Sequence, residues 1–160
     1  MNSPLTTLQK HLTDRPAFVP GRSDHYPGQK GCYYAQDWTY MAVDGTLVTV
    51  PRGYWYNGGS IPSLLWAATF SPFDTDVIDW FGFHDFSYLT HCVDKTVADH
   101  TLQRGLELAG FSKRAALVAG AVATFGNKFW TRDLQDLRYL NFLRQALTEE
   151  GRDLKTFNLR

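Results

Sequence analysis

The sequence predicts an α+β fold, a small antiparallel sheet packed on a bundle of about four helices, and three observations predict it. Residues 31–56 are rich in β-branched and aromatic side chains and broken by turn residues. Residues 63–150 carry apolar side chains at helical spacing. The chain of 160 residues is long enough to bury one core and short for two. Hydrophobic residues at 44% and charged residues at 20% lie close to globular averages, which excludes a mostly disordered or coiled-coil chain.

The first thirty residues hold Pro4, Pro16, Pro20 and Pro27 among polar residues, and they read as an N-terminal arm with a short helix over 5–12. Residues 31–160 form the domain proper. Its strands fall within 31–56, with Asp44-Gly45 as a hairpin turn and Pro51-Arg52-Gly53 as a break. The loop Asn57-Gly58-Gly59-Ser60-Ile61-Pro62 follows, its two glycines permitting positive φ. A short helical piece is expected over 63–68. Four longer helices are expected over 74–89, 95–109, 112–125 and 132–150, the second ended by Gly110 and the third by Gly126. The third reads as a buried helix rich in small residues. The fourth has Leu134, Leu137, Leu140, Leu143 and Leu147 as its apolar stripe.

Sixteen basic residues balance sixteen acidic ones, so no net field attracts a polyanion, and no nucleic-acid partner is expected. Cys32 and Cys92 stand in no CxxC or CxxH arrangement. They read as small buried hydrophobes, with one disulfide between them as the other arrangement. The N-terminus lacks a basic segment followed by an apolar run, so the reading is a chain without a signal peptide, made in a cytoplasm. The longest apolar stretch, 115–125, is far shorter than the ~20 residues that span a bilayer, and no transmembrane segment is expected.

The chemistry concentrates in His84-Asp85-Phe86-Ser87-Tyr88 and in Ala98-Asp99-His100. On a helix, His84 and Tyr88 share a face, with Asp85 one step round. On the next helix Asp99 aligns with the apolar Leu102 and Leu106, whereas His100 aligns with Gln103, Arg104 and Glu107. Asp99 therefore points inward and His100 faces water. A buried carboxylate requires a partner, and the antiparallel helix offers His84 or Tyr88. An imidazole oriented by Asp99 through one nitrogen keeps the other free to take a proton from water. Asp85 is then placed to be an oxygen ligand of a cation, with carbonyls of the glycine loop from Asn57 through Gly58 and Gly59 to Ser60 completing the shell.

Val50-Pro51-Arg52-Gly53, the Asn57-to-Pro62 loop, His84-Asp85-x-x-Tyr88 and Ala98-Asp99 together resemble an uncharacterised phage and prophage family with the pattern D-G-A-S-I-P, H-D-x-x-Y and a later A-D. Asn57 stands where that family has Asp. The H-D-x-x-Y helix followed by an antiparallel Asp is also similar to the catalytic core of phospholipase A2. That resemblance implies His84 as the base that activates water, Asp99 as its orienting partner, Tyr88 in support and Asp85 as a calcium ligand. It implies a phospholipid or another apolar ester as substrate. The phage setting implies other phage proteins as partners and a place in the virion.

Two plainer readings stand beside these. The His84, Asp85, Asp99 and Tyr88 cluster also reads as a polar network that fixes two helices in a virion or lysis-associated protein without turnover. Tyr54-Trp55-Tyr56 reads either as a core lid or as a hydrophobic entrance or docking face. His91, Asp94 and His100 match no H-E-x-x-H or H-x-H metal pattern, and Ser60 lies in no G-x-S-x-G elbow.

Overall fold

The computed structural model describes residues 15–57, 71 and 73–159. Among them are five short strands, β1 (Phe18–Gly21), β2 (Gly31–Tyr34), β3 (Trp38–Met41), β4 (Leu47–Val50) and β5 (Trp55–Tyr56). Helices α1 (Ile78–Thr90), α2 (Lys95–Leu108), α3 (Ser112–Trp130) and α4 (Leu134–Glu149) follow, and then a 3-10 turn, Leu154–Phe157. The fold is α+β, as the sequence predicts. The strands form two antiparallel sheets, β1-β2-β5 and the β3-β4 hairpin. The helices expected over 5–12 and 63–68 lie outside the described residues.

Alternation builds the sheets: Cys32 and Tyr34 of β2, Trp38 and Tyr40 of β3, and Val48 and Val50 of β4 all turn inward. The hairpin closes at Asp44-Gly45, where Gly45 takes φ +87 and donates its N–H to the Ala42 carbonyl at 2.9 Å. The segment read as an arm is integrated instead. Its residues 18–21 pair with β2, and Tyr26 lies in the core. Pro20 is tolerated because β1 is an edge strand among the described residues, with no strand there to take a donor on its outer side.

Helix α1 is the centre of the molecule. Ten of its thirteen residues are buried, which is why its sequence is apolar on nearly every face. It begins at Ile78, four residues later than the periodicity predicts, because the Asp74 side chain accepts the Asp76 N–H at 3.0 Å and holds the chain in turns. Helix α3 differs from its reading in two ways. It passes through Gly126 to Trp130, and it buries only one face, leaving Leu117 and Phe125 57% and 47% exposed. Helix α4 starts in a capping box between Asp133 and Asp136. Its buried stripe is Tyr139, Leu140, Leu143 and Leu147, whereas Leu134 and Leu137 are 64% and 42% exposed.

Tyrosine hydroxyls fasten strands to helices. Tyr40 donates to the Asp79 carbonyl of α1 at 2.8 Å and shares a 2.9 Å bond with the Tyr34 hydroxyl. The Trp55 N–H of β5 donates to Tyr139 Oη of α4 at 2.6 Å. Thr101 of α2 accepts from the Val43 N–H at 3.0 Å, tying the hairpin to the bundle. The run Tyr54-Trp55-Tyr56 is 1% exposed throughout and belongs to the core. No helix among the described residues is long and apolar enough to cross a membrane.

Candidate functional site

Helices α1 and α2 are joined by residues 91–94 and run antiparallel, which sets His84 and Tyr88 of the first against Lys95 and Asp99 of the second. His84 Nε2 lies 2.8 Å from Asp99 Oδ1. Tyr88 Oη donates to that same oxygen at 2.7 Å, and Lys95 Nζ donates to Asp99 Oδ2 at 2.7 Å. Burial works against the Asp99 charge, but the bonds from His84, Lys95 and Tyr88 outweigh it and hold the acid at about 2. Burial also pulls the His84 imidazole below its ordinary value, against the hydrogen bond and the charge of Asp99. The ring is therefore neutral beside an ionised carboxylate. An ionised carboxylate only accepts, so the proton sits on Nε2 and Nδ1 carries the lone pair. His84 is 0% exposed, and its Nδ1 has no hydrogen-bond partner among the described residues.

Helix α3 closes over this cluster at Gly126. A Cβ there would stand 2.5 Å from Tyr88 Oη and 3.2 Å from Lys95 Nζ, so the helix requires glycine at that point to approach. This explains why Gly126 sits inside the helix instead of ending it.

Asp85, one residue on, turns toward a cleft of about 430 Å³ that is also lined by Tyr26, Tyr54, Tyr88, Asp136 and Tyr139. Tyr54 Oη donates to Asp85 Oδ2 at 2.7 Å. Burial pushes the acid up to about 7, with the Tyr54 bond opposing and the nearby Asp136 charge adding to the rise. Asp85 is thus a half-buried acid that titrates near neutrality.

The structure brings His84, Asp99 and Tyr88 into one network, as their spacing predicts, and leaves His100 exposed. It places Asp85 with Tyr54 on the cleft side. Asn57 lines the same cleft and donates to Gln29 Oε1 at 2.7 Å. Gly58, Gly59 and Ser60, the expected loop ligands, lie outside the described residues. No group of three His, Cys, Asp or Glu side chains able to hold a metal ion occurs among the described residues. Lys95, Tyr54 and Asp136 were not legible as site residues. Lys95 precedes Asp99 by four on a helix, a spacing that signals a pair; Tyr54 bonds Asp85 and Asp136 acts on it through its charge, both from distant chain positions, which leaves no local signal of either partnership.

Comparison of the chain with known protein families, with curated proteins and with solved structures gives no match.

Proposed function

We propose that the chain is a phage-derived hydrolase in which His84 is the general base and Asp99 its positioning partner. One observation carries this reading: a buried imidazole is anchored through Nε2 while Nδ1 has no partner among the described residues. An unpaired buried nitrogen costs about 1–3 kcal/mol, and a histidine kept only for architecture is expected to satisfy both ring nitrogens. In the reaction, a water that reaches Nδ1 gives it a proton as its oxygen attacks an ester carbonyl. The imidazolium is held by ionised Asp99 until the proton passes to the leaving alkoxide, giving an acid and an alcohol. Lys95 on the other Asp99 oxygen keeps that carboxylate from capturing the proton.

An apolar ester, phospholipid among them, is the substrate class that the likeness to phospholipase A2 supports, and virion association follows from the phage likeness. Calcium enters by the same route. Of the expected ligand set Asp85 and Asn57 are placed; Asn57 is bonded to Gln29, and the surroundings of Asp85 favour a protonated acid bonded to Tyr54, a poor ligand for a metal cation.

A second reading has its own observation. His84 has no exposed surface and does not line the cleft, which suits a network that locks α1 to α2 in a virion or lysis-associated protein. Chromogenic short-chain esters and phospholipid vesicles, with and without calcium, separate the two. Under the catalytic reading His84→Gln keeps the fold and loses at least ~100-fold in hydrolysis. A wild-type protein inert toward all of them, with His84→Gln changing only the melting temperature, overturns it.

A further inference from the structure

The cleft beside the His84 network has an uneven supply of hydrogen-bonding atoms. Most of its hydroxyl and indole donors are already engaged: Tyr26 Oη donates to Asp136 at 2.8 Å, Tyr54 Oη to Asp85 at 2.7 Å, and Tyr88 Oη to Asp99 at 2.7 Å. Trp55 Nε1 donates to the Gly21 carbonyl at 3.0 Å and Thr131 Oγ1 to the Asn127 carbonyl at 3.3 Å. Of the amides, Gln135 Nε2 is engaged by the His25 carbonyl at 2.7 Å, which leaves Gln135 Oε1 open, whereas Gln29 Oε1 accepts from Asn57 at 2.7 Å, which leaves Gln29 Nε2 as a donor. Tyr139 Oη accepts the Trp55 N–H and keeps its own proton. The carboxylates have capacity to spare. Asp85 Oδ2 accepts from Tyr54 and Oδ1 is left over, and Asp133 uses one oxygen on the Asp136 N–H at 2.8 Å.

Charge points the same way. Among the described residues Asp133 and Asp136 line the cleft against Lys128, and with them Asp85, an acid held at about 7 that a bound cation would ionise. The walls are aromatic, with the Tyr26 and Trp55 rings stacked at 5.3 Å and Phe129 at the rim. An anion meets like charge here. A polyol leaves the carboxylate charge unmatched. A divalent metal needs several oxygens converging on one point, whereas both Asp136 oxygens are already held, by Tyr26 and by the Asp133 N–H. A cationic nitrogen with its own N–H donors satisfies acceptor, charge and ring together.

We propose that this cleft is a binding site for an organic ammonium group, the cationic end of an amine-bearing small molecule. A volume of about 430 Å³ lies within the range of small-ligand sites. The inference goes beyond the proposed hydrolysis and holds whether or not His84 turns over an ester, since nothing in its test reads turnover.

The full chain is titrated with n-butylammonium chloride, with n-butanol and calcium chloride in parallel, and amide shifts are followed by NMR. The expected result is saturable shifts confined to Asp85, Asn57, Gln135 and their neighbours for the amine alone, weakened by added salt. Asp85→Asn, which keeps an acceptor for Tyr54, and Asp133→Asn, which keeps a helix cap, each weaken binding about tenfold with the fold intact by circular dichroism. Absence of saturable shifts with the amine overturns the proposal. So does equal binding of butanol, which marks an apolar pocket, or saturation by calcium alone, which marks a metal site.

Discussion

At the scale of single residues, two acids on neighbouring helices, Asp85 of α1 and Asp99 of α2, occupy opposite electrostatic worlds. Asp99 is ionised far into acid because three donors converge on it, whereas Asp85, bonded once by Tyr54, titrates at about 7. The two shifts act on stability with opposite sign. Asp99 has a folded value lowered from 3.8 to about 2, so its contribution is present above the unfolded value and is lost as pH falls through that window. Asp85 has a folded value raised from 3.8 to about 7, so the folded state holds a proton that the unfolded chain has released, and stability declines as pH rises through that window. Thermal unfolding across pH checks this: Asp85→Asn should gain on wild type above pH 7 and match it below pH 3.8. Asp99→Asn should cost on the order of 2 kcal/mol at neutral pH by urea unfolding, since it weakens bonds from His84, Tyr88 and Lys95 at once. The inward direction of Asp99 was legible because its helix neighbours Leu102 and Leu106 are apolar. The surroundings of Asp85 were not, because Tyr54 and Asp136 reach it from other elements.

Among the elements, the α1–α2–α3 packing holds the cluster in place, and Gly126 is its tightest point. Gly126→Ala should destabilise by about 1–3 kcal/mol through overpacking against Tyr88 and Lys95, with a changed aromatic NMR environment for Tyr88. A melting temperature equal to wild type contradicts the close approach. Helix existence was legible from periodicity, but several boundaries and faces were not. Gly126 looks like a stop signal in the chain, yet its lack of a side chain serves an interhelical contact. The leucine repeat of α4 suggests one stripe, but Tyr139 displaces Leu137 from the buried face because its hydroxyl receives the Trp55 N–H. The apolar run in α3 suggests burial all round, but Leu117 and Phe125 face outward.

Across the whole molecule, hydroxyl bonds join sheets and helices into one core, so the two sheets are not separable units. Tyr139→Phe leaves the buried Trp55 N–H without its acceptor and should cost about 1–3 kcal/mol in a single cooperative transition. Two separate transitions for strands and helices contradict that unity. The aromatic content of 15% now has a location: Tyr34, Tyr40, Tyr54, Trp55 and Tyr56 meet Trp80, Phe81, Phe83 and Phe86 around α1. The fold class was legible because the chain changes from strand-like to helical texture once. The role of the first described residues was not, since an edge strand tolerates the prolines that suggest a draped arm.

The functional reading stands on the protonation state of one ring, and long-range nitrogen–proton correlation NMR of His84 reads it most directly. The predicted result at pH 6.5 is a neutral imidazole with its proton on Nε2 and Nδ1 as an unprotonated acceptor, changing when Asp99 is replaced by Asn. An imidazolium at that pH, or a proton on Nδ1, leaves no base at the free nitrogen and contradicts it.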